Sequence, residues 1–262
     1  ISDVKIDNNK FYIVDSNNAV HCFSLIDGSK IWEFESDYEL IKSQKKLSII
    51  LDEEKIYFNN SKGDIYSLNK DNGNLVWITP SRNPNEISQT FLLKTSELVK
   101  NNTNIYFSNN QNSFFSIDKK TGFINWQQDI NSEIKPIIVN NFIFTISTDG
   151  YLFIIDKVSG NILRITDLFV KFNTSPKKYN PLNIFTSSEK KGIRKLKFKP
   201  VGFELDVNNI YLSLNNGKIL VINIKNGRTA AVLKISGGKI SKPFIKKDHM
   251  FIIKDNEIIK LK

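Results

Sequence analysis

I-Y-S-L-N-K-D-N-G-N-L-V-W at Ile65 to Trp77 and F-F-S-I-D-K-K-T-G-F-I-N-W at Phe114 to Trp126 are two copies of one phrase. Weaker copies carry Gly28 with Trp32, Gly160, and Gly227. Each copy is an alternating apolar run, a turn of four or five residues ending in Gly, and a second short apolar run. Alternation with a period of two is the mark of a strand, so the phrase reads as two strands joined by a tight turn. The Gly serves a position of positive φ, and Asn, Asp, Ser or Thr before it suits the turn. Self-similarity at a fixed period makes the chain a stack of one supersecondary unit.

Upstream of each phrase lies a second hairpin. Six of these begin at Lys10, Lys55, Asn104, Asn141, Asn209 and His249. A further candidate strand precedes each, as at Ile134 to Val139 and Lys242 to Lys246. The unit is then four strands, the composition of a propeller blade. The glycines at 28, 73, 122, 160 and 227 are separated by 45, 49, 38 and 67 residues, and all but the last interval suit such blades. The predicted fold is all-β, a β-propeller of four-stranded antiparallel blades with about six blades present. One domain is expected over residues 1–262, because blades bury their faces only against each other.

With 40% hydrophobic and 11% aromatic residues, the 262-residue chain can fill a large core. No stretch reaches the roughly 18 apolar residues of a membrane-spanning helix. Its one cysteine, Cys22, sits in an apolar strand and reads as a small buried hydrophobe. The formal charge is +10, and between residues 175 and 199 eight Lys or Arg stand against Glu189 alone. This basic insertion accounts for the 67-residue interval, with Pro176, Pro181 and Gly192 as breakers and a strand at its end that turns Leu196 and Phe198 inward. Its charge suits an anionic membrane or an acidic partner surface. The plainer reading is a solvated loop in a Lys- and Asn-rich chain. Nucleic-acid binding would need interleaved aromatics and a recognised module, which the insertion lacks.

Chemistry is harder to find. His21 and His249 fall within strands, with no His or Cys cluster at ligand spacing and no nucleophile or phosphate-loop motif. No catalytic, cofactor-binding or metal residue is predicted. Asp118 and Asp156 recur four before the turn Gly, where Asn69 and Asn223 also stand, which predicts a side chain accepting backbone N–H groups in the turn. Trp32, Trp77 and Trp126 follow Gly28, Gly73 and Gly122 by four residues. That fixed offset predicts an indole packed near a Gly of a neighbouring blade, with Gly160 and Gly227 completing the structural set. Arg164 and Ala231 replace Trp in the last copies, which predicts looser packing there.

The phrase L-D/N-x-x-T/N-G-x-h-x-W, with h apolar, is similar to the repeat of pyrroloquinoline-quinone-type propellers. That family divides into quinone-dependent dehydrogenases and the BamB proteins of outer-membrane β-barrel assembly. The ending from Lys218 to Lys262, with N-G-R, a Pro-containing inner strand and a final hairpin, resembles BamB. The dehydrogenase branch implies adjacent cysteines, which a single Cys cannot supply. The BamB resemblance implies a non-enzymatic scaffold without a cofactor, on the periplasmic side of the outer membrane, gripping POTRA domains of the barrel-inserting subunit BamA. Transferred by counting blades back from the C-terminus, its partner contacts fall on Leu40, Ile41 and Lys42. The family's acidic contacts would fall in Thr90 to Ser96, which holds Lys94 and no acid. The resemblance also implies a propeller of about eight blades, so the chain is expected to lack an N-terminal portion and its lipid anchor. The alternative is a six-bladed ring closed by Ile1 to Ile6.

Overall fold

A computed structural model describes residues 2–36, 46–81, 93–170, 198–247 and 249–261. Every regular element named below is a β-strand. The first sheet holds β1 (Lys5–Asp7), β2 (Lys10–Val14), β3 (Ala19–Ser24) and β4 (Lys30–Glu35). The second holds β5 (Ile49–Leu51), β6 (Lys55–Asn59), β7 (Ile65–Asn69) and β8 (Leu75–Thr79). In the third are β9 (Val99–Lys100), β10 (Asn104–Asn109), β11 (Ser113–Asp118) and β12 (Ile124–Gln128). β13 (Ile137–Val139), β14 (Phe142–Ile146), β15 (Tyr151–Asp156) and β16 (Ile162–Asp167) make the fourth. The fifth contains β17 (Pro200–Leu205), β18 (Asn209–Leu214), β19 (Lys218–Asn223) and β20 (Thr229–Lys234). The sixth stops at three: β21 (Phe244–Lys246), β22 (His249–Lys254) and β23 (Glu257–Leu261).

Within each sheet, strands adjacent in sequence are adjacent in space, the meander of a propeller blade. The inner strands are shorter than the sequence suggests: β1 starts at Lys5, β13 at Ile137 and β21 at Phe244. Serine side chains explain part of the shortening. At Ser2, Ser96 and Ser241 the N–H donates to the carbonyl of Val14, Ser108 and Ile253, while each Oγ accepts the N–H of that same residue at 2.8, 2.9 and 2.9 Å. A hydroxyl thus replaces one carbonyl of the ladder, and regular pairing begins only after it. Of the basic insertion, residues 171–197 lie outside the described residues, and the reading of Leu196 with them. Phe198 meets the Phe169 ring edge-on at 4.9 Å, and the strand that follows is β17.

The chain divides into two compact units, Ile1–Ser147 with Phe153–Leu163, and Thr148–Leu152 with Arg164–Lys262. In the first unit the core lies between successive sheets. Tyr12, Val20, Cys22 and Trp32 of the first sheet pack with Ile56, Phe58 and Leu68 of the second. Tyr57 and Ile65 then meet Ile105, Phe107 and Ile117, and Tyr106 and Phe114 meet Ile143 and Ile155. In the second unit, Ile219 packs with Ile240, Met250 and Ile252. Burying such side chains contributes roughly 1.5–3 kcal/mol each, so these layers carry most of the stability.

Candidate functional site

The repeated turn carries a Gly at positive φ in each of the first five blades. The turn glycines have φ of +73° at Gly28, +75° at Gly73, +79° at Gly122, +76° at Gly160 and +68° at Gly227. Four residues earlier, Asn69 Oδ1 accepts the N–H of Asp71 and Asn72, and Asp118 Oδ1 accepts those of Lys120 and Thr121. Asp156 Oδ1 does the same for Val158 and Ser159. Donation by the Ser159 backbone and hydroxyl holds the Asp156 carboxyl below its ordinary value. At Asp118 burial pushes the carboxyl up, and the Thr121 and Lys120 donors outweigh it and bring it down.

Each indole reaches into the turn of the following blade. An added Cβ on Gly73 would stand 2.6 Å from Trp32, one on Gly122 2.7 Å from Trp77, and one on Gly160 2.6 Å from Trp126. The indole Nε1 donates to the carbonyl three residues before that Gly: Trp32 to Lys70 at 3.2 Å, Trp77 to Lys119 at 3.2 Å, and Trp126 to Lys157 at 3.3 Å. Gly28 has nothing within 4 Å of where its Cβ would be.

At the next Trp position the packing is not looser in the way the sequence suggests. Arg164 Nη2 donates to Ile224 O at 2.6 Å, the carbonyl three before Gly227, and Nη1 donates to Lys225 O at 2.8 Å. Thr166 lies 2.8 Å from the Gly227 Cβ position. A guanidinium fork and a threonine methyl divide the work of one indole.

A second regularity leaves little trace in the sequence. Lys70, three before Gly73, pairs with Asp7 of the preceding blade at 2.7 Å. Its counterpart Lys119 pairs with Asp52, which also takes Lys100 Nζ at 2.5 Å. Burial raises the Asp52 carboxyl, and the two lysines more than reverse this, leaving it lowered. Only the recurrence of Lys at 70, 119 and 157 hints at these pairs in the sequence.

The remaining chemistry-bearing side chains are dispersed. His21 lies between Asp15 at 3.2 Å and Glu33 at 3.5 Å, while His249 Nδ1 faces Lys247 O at 2.6 Å. Cys22 is buried, and that burial pushes its thiol up, away from the reactive thiolate. Among the described residues no three His, Cys, Asp or Glu side chains are placed to hold a metal ion. Leu40, Ile41 and Lys42 fall in residues 37–45, outside the described residues. Of Thr90 to Ser96, residues 90–92 also lie outside the described residues; Lys94 lies 3.7 Å from Glu133, and the following Glu97 is paired with Lys135 at 3.1 Å.

The family described as outer membrane protein assembly factor BamB matches residues 1–166, more than half of the chain. The chain belongs to the BamB family. That match takes in the first four sheets almost entirely and ends before β17. The crystal structure of BamB from Moraxella catarrhalis is similar to this chain at a TM-score of 0.73 and 12% identity, covering 98% of this chain and 70% of that one. At that identity the likeness concerns the fold, a β-propeller. No curated protein matches the chain.

Proposed function

We propose that this chain is a non-enzymatic scaffold in the assembly of outer-membrane β-barrel proteins, working on the periplasmic side of the bacterial outer membrane. The observation that carries this reading is membership of the BamB family over residues 1–166. The polar chemistry supports it. Asn69, Asp118 and Asp156 repeat the same turn bonds from blade to blade, the behaviour of structural groups, whereas catalytic groups break a repeat's symmetry. The single cysteine also denies the adjacent pair that the dehydrogenase branch implies.

In this reading residues 1–262 act as one propeller domain without a cofactor, and its partner is the set of periplasmic POTRA domains of a BamA-like subunit. Leu40, Ile41 and Lys42, in the connection between β4 and β5, meet that partner, and the basic segment 175–199 rests against anionic lipid. Purified POTRA domains immobilised on a resin test the reading. Retention of the folded chain is expected; passage through the resin of a chain that shows β-sheet circular dichroism would overturn it.

A further inference from the structure

In the first unit a cleft of about 640 Å³ opens between the β5–β6 turn and the β11–β12 turn. Asp52, Glu53, Glu54, Lys55, Asp118, Lys119 and Lys120 supply its charges. Two of these are already satisfied, for Asp52 takes Lys100 and Lys119, and the Lys119 side chain is only 12% exposed. Asp118, also at the wall, spends its Oδ1 on the turn. Glu53, Glu54, Lys55 and Lys120 have no ion pair among the described residues.

Comparison with the preceding blade shows how this cleft came to be different. Lys10 and Lys55 occupy one repeat position, since each pairs in strand register with the residue four before a turn Gly, Ser24 and Asn69. Asp71 and Lys120 occupy another, two before Gly73 and Gly122. Between the first and second sheets these positions make the ion pair Lys10–Asp71 at 3.4 Å. Between the second and third, Lys120 replaces the acid, and Lys55 and Lys120 both line the cleft. Along the same lip, Asn8 and Asn9 are replaced by Glu53 and Glu54. One blade further on, Asn104 and Val158 hold the equivalent places and carry no charge. The cleft therefore has Lys55, Lys120, Glu53 and Glu54 without an ion pair among the described residues, Lys120 being drawn only weakly to the turn carboxylate of Asp118, where its neighbours have a closed pair or none. Like charges in one gap repel until a counter-charge arrives between them.

We propose that this cleft docks a protein segment of mixed charge, whose carboxylate lies between Lys55 and Lys120 while its ammonium or guanidinium group meets Glu53 and Glu54. The site differs in sequence from the loop assigned above to POTRA domains: that loop precedes β5, whereas the cleft residues begin after β5 ends at Leu51. It does not depend on the barrel-assembly reading.

The test is fluorescence anisotropy of labelled Glu-Glu-Gly-Lys-Lys, pentaglutamate and pentalysine against the 262-residue chain, at about 20 mM salt so that surface charges stay weakly screened. The mixed peptide binds most tightly. Lys120→Asp, which rebuilds the pair seen at Lys10 and Asp71, and Glu54→Lys each weaken it about tenfold. Lys239→Asp, an exposed lysine of the second unit with the same change in net charge, leaves it unchanged. Thermal melts confirm that each variant is folded. Equal losses for Lys120→Asp and Lys239→Asp, pentaglutamate binding as tightly as the mixed peptide, or no saturable binding of the mixed peptide would overturn the proposal.

Discussion

Trp77 closes over Gly122, with its Nε1 donating to Lys119 O at 3.2 Å and its Cδ2 standing 2.7 Å from the position of an added Cβ. Gly122→Ala must therefore strain a backbone at φ +79° and also displace an indole. The two effects together cost about 3 kcal/mol. Gly28→Ala meets the first of them only, and costs about 1 kcal/mol. Urea denaturation of the two variants measures the difference, and equal losses would mean that the indole contact adds nothing.

Arg164 stands where an indole is expected and bonds two carbonyls, those of Ile224 and Lys225. Arg164→Ala leaves both without that donor and costs about 1–2 kcal/mol. Arg164→Lys keeps the charge but loses the planar fork, so it recovers less than half of the loss. Denaturant midpoints of the three proteins order them as wild type, Lys, Ala.

Acid weakens the blade junctions through Asp52. Its carboxyl lies below the ordinary value of 3.8 in the folded chain because Lys100 and Lys119 outweigh burial. A depressed carboxyl contributes stability that is complete above its unfolded value and is lost as pH falls through the folded one. Stability is therefore steady near neutrality and falls below about pH 4. Asp52→Asn flattens that fall, as seen in urea midpoints measured from pH 6 to pH 2.5, a window set on the usual carboxylate range. An unchanged slope would mean that the pair is not felt.

If Leu40 and Lys42 carry the contact with POTRA domains, Leu40→Asp and Lys42→Glu should each weaken binding about tenfold and leave the melting temperature unaltered. Surface plasmon resonance against immobilised POTRA domains reads the loss. Wild-type affinity in both variants would move the interface to another loop.

The strands and turns were legible because they follow local rules. Ile65–Asn69 and Leu75–Thr79 alternate as strands, and Gly73 sits where only positive φ closes the turn. The inner strands are shorter than the sequence suggests because serine hydroxyls at Ser2 and Ser241 take ladder bonds; Ser2, Ser48 and Ser96 recur at the blade spacing, but residue type alone does not say that a hydroxyl replaces a carbonyl. The pairs Lys10–Asp71 and Lys70–Asp7 join residues 61 and 63 apart, so no window of sequence contains both partners. At Arg164 residue type misleads for a different reason. Its chemistry differs from that of Trp, but both can donate to the same carbonyl three residues before a turn Gly.

The indole lock also has a direction in time. Trp32 precedes Gly73, Trp77 precedes Gly122, and Trp126 precedes Gly160. A chain leaving the ribosome N-terminus first presents each ring before the turn that receives it. At these three junctions the new blade then meets a ring already made, and its glycine does not wait for a later blade. The repeat thus resembles a zip fastener that can be closed while it is still being made.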